Sequence, residues 1–451
     1  VVETCRADGC VAIVTEESEA NLRWADSSLT TDGVARGRRV TVIATVHGPR
    51  GTSAGVAARR GAVDRDTLTD LVAAAERAAR EAEPAEEAQP LVSDRSSADW
   101  AAPVPQTSIA AFGTVAPALG AAFAQARAEG ETLYGYAESR ARSTFLATSG
   151  GVRLRDDEAG GHIELTAKSA DRTRSAWAGA AGDFGPDVVP RLYGQLRERL
   201  RWAARQVELP PGRYETVLPP AAVADLMNLV YWSAGGRAAA EGQTVYSGRN
   251  GATTRVGERL TSVALTLRGD PAAAGLECSP FLVAPGSDGM VSVFDNGLPL
   301  RPTAWLDNGV LAALVQTRYS ARLTGLPLTP HIDNLILEGA GATGSLADLV
   351  AATERGLLLT TLWYIREVDP AALLLTGLTR DGVYLVEHGE VVGAVNNFRF
   401  NDSPVDLLGR VLDVGRTERV RAREWGDAFT HCAMPPLRVA DFPMSSISRA
   451  V

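Results

Sequence analysis

Residues 219–258 read PPAAVADLMNLVYWSAGGRAAAEGQTVYSGRNGATTRVGE, and the placing of this stretch decides the fold. Pro220 suits the first turn of a helix, where a missing N–H costs nothing. Val223, Met227 and Val230 recur at helical spacing, with Leu226 and Leu229 filling in, and make one wide apolar face. The helix is expected to run on through the small residues 233–240 and to end near Gly242. A Gly- and Arg-rich loop follows, 247–257.

Outward from that helix the chain reads as an α/β protein of two domains, since 451 residues are long for one. Pro210-Pro211-Gly212 is the best boundary. A mixed α/β domain is expected over 1–208, and a domain dominated by antiparallel β-sheet over 209–451. In the first, strands are expected at 11–15, 21–25 and 39–46, with a turn at Asp32-Gly33. Residues 64–83 pattern as an amphipathic helix that buries Leu68, Leu71, Val72 and Ala75 and stops at Pro84. The Pro-, Ser- and Ala-rich passage 83–107 reads as a loop or lid. A helix over 116–129 leads to strands at 144–148, 152–156 and 162–168, turning at Gly150-Gly151 and Gly160-Gly161. A further helix, 187–206, carries Leu192, Leu196 and Leu200 on one face.

In the second domain, 260–337 reads as strand after strand, and 310–320 and 357–365 as buried or half-buried strands. The one clear helix between them is 345–355. Ser345 caps it, Asp348 completes a capping-box pattern, and Gly356 closes it. The remainder is again strand-rich.

Charge and composition exclude several classes of function. A net charge of −9, from 54 acidic and 45 basic residues with no block of like charge, argues against a nucleic-acid binder, which would show a basic face. Cys5, Cys10, Cys278 and Cys432 match no zinc or redox spacing, which fits a reducing cytoplasm. No run of about 18 apolar residues predicts a membrane span. No signal peptide is visible, and the chain starts at Val1 rather than Met, which leaves room for a short upstream segment. Abundant Ala, Arg and Gly with few Lys points to a GC-rich bacterial genome.

The organising stretch resembles the TldD/PmbA family, bacterial proteins related to a metallopeptidase. In the metal-bearing branch this helix carries a His-Glu-x-x-x-His motif ahead of a Glu-Gly pair and a Ser-Gly-Arg loop. Here the pair is Glu241-Gly242 and the loop Ser247-Gly248-Arg249. Counting back from Glu241, the motif positions hold Ser233, Ala234 and Ala238, none of which can bind zinc. No sideways shift restores the motif, because no histidine occurs between His162 and His331. Further along, Asp295-Asn296-Gly297 and the run from Leu306 to Leu311 resemble the family's strand–turn–strand ahead of Tyr319-Ser320-Ala321-Arg322. Gly356-Leu357-Leu358 with Thr360, and the run from Val395 to Asn401, match as well. A cysteine completes the zinc site in the metal branch, but neither Cys278 nor Cys432 is assigned as a ligand.

The resemblance implies the PmbA (TldE) branch, whose members lack the metal and pair with a TldD-type subunit. On that footing the chain is the metal-free, cytoplasmic subunit of a heterodimeric metallopeptidase or amide hydrolase, a pseudoenzyme with no catalytic residue and no cofactor of its own. Zinc belongs to a TldD-type zinc-bearing paralogue, and the substrate is an unstructured peptide or a small amide-bonded biosynthetic intermediate. No nucleic acid and no membrane are expected as partners. The alternative is a non-catalytic homodimeric scaffold or peptide-binding protein.

Among individual residues, Arg237, Arg249 and Arg255 stand out beside the former metal positions, where they could hold a substrate carboxylate or a partner's acid. The alternative for them is ordinary surface arginine. Gly339-Ala340-Gly341-Ala342-Thr343-Gly344 matches a G-x-G-x-x-G dinucleotide fingerprint. The following helix has its own side-chain cap, so the stretch reads as a plain loop. His331 with Asp333 reads as a polar pair at a strand start, and Glu387-His388 as a solvated hairpin end. Ser247 lacks the nucleophile elbow and a nearby base, which argues against a serine hydrolase.

Overall fold

The computed structural model describes residues 1–182, 184–249 and 253–448. Asp26 and Ser27 both take positive φ (48° and 54°) and close a tight hairpin, the turn type whose twist matches its flanking strands. It joins Gly9–Ala25 (β1) to Ser28–Gly48 (β2), 17 and 21 residues long. The expected turn at Asp32-Gly33 is corrected, for Gly33 lies inside β2 opposite Asn21. Residues 28–39 of β2 are almost all exposed, so no buried alternation marked them as strand.

Gly51–Arg60 (β3) follows, then Arg65–Glu81 (α1). The Asp64 side chain caps α1 by accepting from Thr67 N at 2.8 Å. Leu71, Val72 and Ala75 are buried as expected, and Leu68 is half-buried. Gly55 lies so close beneath α1 that a Cβ there would strike the helix backbone.

Val115–Ala128 (α2) leads to Thr132–Thr148 (β4), Arg153–Lys168 (β5) and Ser175–Ala181 (β6). The sheet runs β3-β2-β1-β4-β5-β6, antiparallel throughout. Gly160-Gly161, expected at a turn, sits in the middle of β5 opposite Arg140 and Ser139. A Cβ on Gly161 would come within 2.6 Å of the Glu138 carbonyl, so glycine here serves close approach rather than turning. Val188–Trp202 (α3) buries Leu192, Leu196 and Leu200. Together α2 and α3 cover one face of the sheet over Ala20, Leu22, Trp24, Ile163 and Leu165.

The second half holds a six-stranded and a ten-stranded sheet, mostly antiparallel, with parallel pairs such as Asn334–Gly339 beside His431–Met434. Strand Gln206–Val207 already belongs to the ten-stranded sheet. Pro220–Trp232 (α4) lies in the core between these sheets, with Val223, Leu226, Met227 and Val230 all buried. The short Gly236–Ala240 (α5) follows it.

Three expectations change here. Only Val310–Leu311 of 310–320 is strand, hairpinned to Thr303–Asp307 through Asn308 and Gly309, whose φ angles are 47° and 83°. Arg318–Thr324 is helix (α6), because Thr317 and Ser320 form a capping box at its start. The segment 357–365 divides into Arg355–Leu359 and Leu362–Asp369, and Leu346–Ala351 (α7) is shorter than 345–355, with Gly356 already in strand. The two halves meet where Val11, Ile13, Leu146 and Leu154 of the first sheet pack on Phe281, Val293 and Phe294.

Candidate functional site

The metal positions of the resemblance do not share one helix. α4 stops at Trp232, and Ser233 is its C-cap. The chain then runs extended past Gly235, with Val315 N donating to Ala234 O and Gly236 N to Val315 O, both at 2.8 Å. Gly236 is needed because the buried Gln316 amide occupies the space a Cβ would take. The expected continuous helix to Gly242 is thus broken at the glycine pair. Ser233 and Ala238 are half-buried, and Ala234 is buried with its carbonyl engaged. These three side chains offer no donor that fits zinc. Among the described residues, no group of three His, Cys, Asp or Glu is arranged to hold a metal ion.

Around this break most polar groups hold the backbone. Asp225 of α4, fully buried, accepts from the N–H groups of Arg423, Glu424 and Trp425 at 3.2, 2.9 and 3.1 Å. Burial outweighs those bonds and pushes its carboxyl up to about 7. Cys432 is buried with its Sγ 3.5 Å from Asn228 Oδ1, and burial raises its thiol far above the usual range. Asn296 is satisfied by both backbone groups of Ala284 and by Val293 O. Asp295 accepts from Arg318 N and Nε at 3.0 and 2.6 Å, at the N-terminus of α6.

The three arginines fall in different settings. Arg237 on α5 donates to Glu241 and to Glu86 of the 83–107 passage, at 2.8 and 2.9 Å, and lies 5.3 Å over the Tyr319 ring. Arg255 is 9% exposed and donates to Val245 O at 2.9 Å and Glu258 at 2.7 Å, which closes the base of its loop. Arg249 is exposed, and residues 250–252 of the expected loop lie outside the described residues. No hydrogen bond or ion pair joins the three among the described residues.

A second region, which no motif announced, has the opposite character. The face of the first sheet away from α2 and α3 is apolar only near the junction with the second half. Further along, cross-strand register sets Glu17 beside Arg142 and Arg142 beside Glu158, then Glu19 beside Arg140, then Glu138 beside His162. Arg140 reaches Glu138 at 2.7 Å and Glu17 at 3.1 Å, and Arg142 reaches Glu17 at 3.3 Å. From the second half, Arg421 pairs with Asp427 at 2.7 Å, and His431 Nε2 lies 3.8 Å from Glu158. Between the two halves opens a cavity of about 330 Å³, lined by Asp156, Glu158, His162, Cys278, Arg421 and His431 among others. Hollows of about 680 and 720 Å³ share residues with it on either side and extend it along the sheet.

The electrostatics of this chamber are uneven. Burial, with Glu158 and Asp157 nearby, pushes Asp156 up to about 6, and no cation faces it in an ion pair among the described residues. Burial, with Arg421 nearby, pulls His162 down to about 3, so its imidazole is neutral at ordinary pH. The signal for this wall was alternation: Glu17 and Glu19, then Glu138, Arg140 and Arg142, then Asp156 and Glu158, all at spacing two. Taking Gly160-Gly161 for a turn hid it.

The remaining motifs are structural. His331 Nδ1 is 3.3 Å from Asp333, and its ring lies on Tyr231. His388 is at an exposed hairpin tip with φ 52° and pairs with Glu354. Ser345 N and Oγ bond Asp348, so the glycine-rich run before it is a loop leading into a capped helix of six residues.

The architecture is an α/β fold with a buried helix, α4, set between two largely antiparallel sheets. Residues 211–446, a little over half of the chain, match the PmbA/TldA metallopeptidase C-terminal domain, and the chain belongs to the TldD/PmbA family. Among solved structures it is similar to TldE from Thermococcus kodakarensis, with a TM-score of 0.78 and 16% identity over 97% of this chain and 96% of that one. A putative modulator of a DNA gyrase from Thermotoga maritima gives 0.72 at 17% identity, covering 96% of each chain. A putative modulator of DNA gyrase from Bacteroides thetaiotaomicron gives 0.72 at 16%, covering 98% of this chain and 95% of that one. At such identities the likeness is one of fold. No curated protein sequence matches the chain. Among the described residues no helix is long and apolar enough to cross a membrane.

Proposed function

We propose that this chain is the metal-free subunit of a TldD/PmbA-type heterodimer whose zinc-bearing partner cleaves peptides or small amides. One observation carries the reading: in a member of this family the three motif positions hold Ser233, Ala234 and Ala238, and the helix that would present them is broken at Gly235-Gly236. The hydrolytic metal and its base would then be the partner's. The contribution of this chain is to wall the substrate chamber. Its arginines and carboxylates, fixed on long strands, can orient an extended substrate through its termini and polar side chains. The likeness in fold to a TldE supports a place in such a pair.

Co-expression with a zinc-bearing paralogue tests this, with light scattering, metal analysis and peptide cleavage measured on each chain and on the mixture. The expected result is an equimolar complex, zinc in the partner alone, and cleavage by the mixture alone. An obligate interface of this kind buries more than about 2,000 Å², so the complex should persist at micromolar concentration. Stoichiometric zinc with cleavage by this chain alone would overturn the reading. A homodimer that ignores the paralogue would favour a scaffold or peptide-binding protein instead.

A further inference from the structure

β3 pairs with β2 only as far as Arg60 opposite Arg39. Gly61 N still donates to Arg38 O at 2.8 Å, and the chain then leaves the sheet for α1. β2 continues without β3, in unbroken register with β1 from Arg38 to Thr31. The Gly61 bond fixes the phase. The even-numbered residues of this stretch aim their N–H and C=O groups away from β1. The peptide groups of Asp32, Val34 and Arg36 therefore project from an unpaired edge, a template for another strand.

The end of this slot next to β3 is basic on both faces, with Asp32 at its far end and Glu16 and Glu17 lining the neighbouring hollows. By alternation, Arg36 and Arg38 lie on one side of the sheet, while Arg39 and its cross-strand neighbour Arg60 lie on the other. All four are exposed. Arg38 pairs with Glu16 at 2.7 Å, whereas Arg36, Arg39 and Arg60 form no ion pair among the described residues. Hollows of about 290 and 720 Å³ open at Arg36, Arg38 and Gly61, so both sides of an added strand have room. Val34, 47% exposed, adds an apolar contact in the middle.

We propose that this edge receives an extended acidic segment of polypeptide as an added strand, end to end with β3. Main-chain bonds to Asp32, Val34 and Arg36 would supply affinity, and carboxylates at successive positions would meet guanidiniums on the two faces. The slot is independent of whether the chain has a catalytic partner, so its failure and that of the heterodimer are separable.

Fluorescence anisotropy on the full chain provides the test, using a labelled peptide of about ten residues alternating Glu and Thr. The controls are its Lys counterpart, a version N-methylated at alternate residues, and a single-stranded DNA of equal length. The acidic peptide is expected to bind at least about tenfold more tightly than any control, a difference of about 1.4 kcal/mol. Val34→Pro removes an outward N–H without touching the ladder to β1, and should weaken binding about tenfold. The double substitution Arg36→Glu with Arg39→Glu should do the same, and it decides the matter should the proline variant fold poorly. No binding of the acidic peptide, equal binding of the Lys or N-methylated peptide, or tighter binding of DNA would each overturn the proposal.

Discussion

The end of α4 and the charged face of the first sheet put their ionisable groups to opposite uses. Around α4 the carboxylate of Asp225 and the guanidinium of Arg255 are buried and bond backbone groups, Arg255 pairing with Glu258 as well. Along β1, β4 and β5 the same residue types face an open chamber, paired mainly with one another, and Asp156 has no cation partner among the described residues. A polar group that satisfies backbone is difficult to remove, whereas one that lines a cavity is available to a ligand. Among the described residues, the region that carries the family resemblance is therefore the more tightly bonded of the two, and the region that carries no motif is the more open.

The sharpest test of that contrast is Asp225→Ala, which leaves three partly buried N–H groups without their acceptor. With each unsatisfied group costing about 1–3 kcal/mol, the three together would cost about 3–9 kcal/mol, and relief of the burial penalty on the Asp225 carboxyl brings the expected loss in urea unfolding to about 3–5 kcal/mol. Asp225→Asn keeps an acceptor oxygen and should cost less than half as much. If the alanine variant unfolds within about 1 kcal/mol of the parent, the loop at 423–425 does not depend on α4 and the contrast fails.

Next in size is Arg255→Ala, which removes hydrogen bonds from a buried guanidinium to Val245 O and Glu258. Hydrogen bonds to charged groups are worth about 1.5–3 kcal/mol, and a loss in that range is expected. Lys should recover only part of it, because a single ammonium cannot span both acceptors. A loss of substrate turnover with unchanged stability would instead place Arg255 in a binding role.

The apolar periodicity of α1, α3 and α4 survives because burial on one face leaves a 3.6-residue stripe, and the Ser345 cap sits at the helix start it marks. The long strands were not legible. β2 runs far past its core, so its outer half has polar residues on both faces, and Gly33, Gly37 and Gly160-Gly161 imitate turns. The true turn at Asp26-Ser27 lacks glycine altogether. α6 falls within the run 260–337 expected as strands, and its capping box, Thr317 with Ser320, departs from the usual Glu or Gln pattern that would mark a helix start. The chamber followed from the strands, so it was lost with them.

The chamber side of the comparison predicts a pH-dependent gain. Asp156 titrates near 6 when folded, against about 3.9 in an unfolded chain. The folded state holds this proton more tightly, so stability from this group falls as pH rises from about 4 through 6 and stays lost above. Asp156→Asn removes the penalty. It should raise stability by roughly 1–2 kcal/mol above pH 7, with the gain vanishing near pH 4. Thermal midpoints measured across that range decide it, and a gain independent of pH would mean the substitution acts through packing.

The smallest stability effects are expected at Arg237 and Arg249, and their smallness is what makes them useful. Arg237 is 36% exposed, and its pairs with Glu241 and Glu86 are solvent-facing, so Arg237→Ala should change stability by about 0.5 kcal/mol. Arg249→Ala, at an exposed position, should change it no more. Turnover by the proposed heterodimer is a separate readout. If either guanidinium holds a substrate carboxylate through two parallel bonds, its loss should lower kcat/KM by about ten- to a hundredfold while partner binding survives. Lys should rescue only partly, since a point charge does not reproduce the planar fork. Arg355, exposed at the start of the strand Arg355–Leu359 and 3.6 Å from Glu387, serves as the neutral control. Unchanged turnover in both variants would make them surface arginines. The chamber wall, with Arg140, Arg142 and Arg421, would then be the part of this chain that meets substrate.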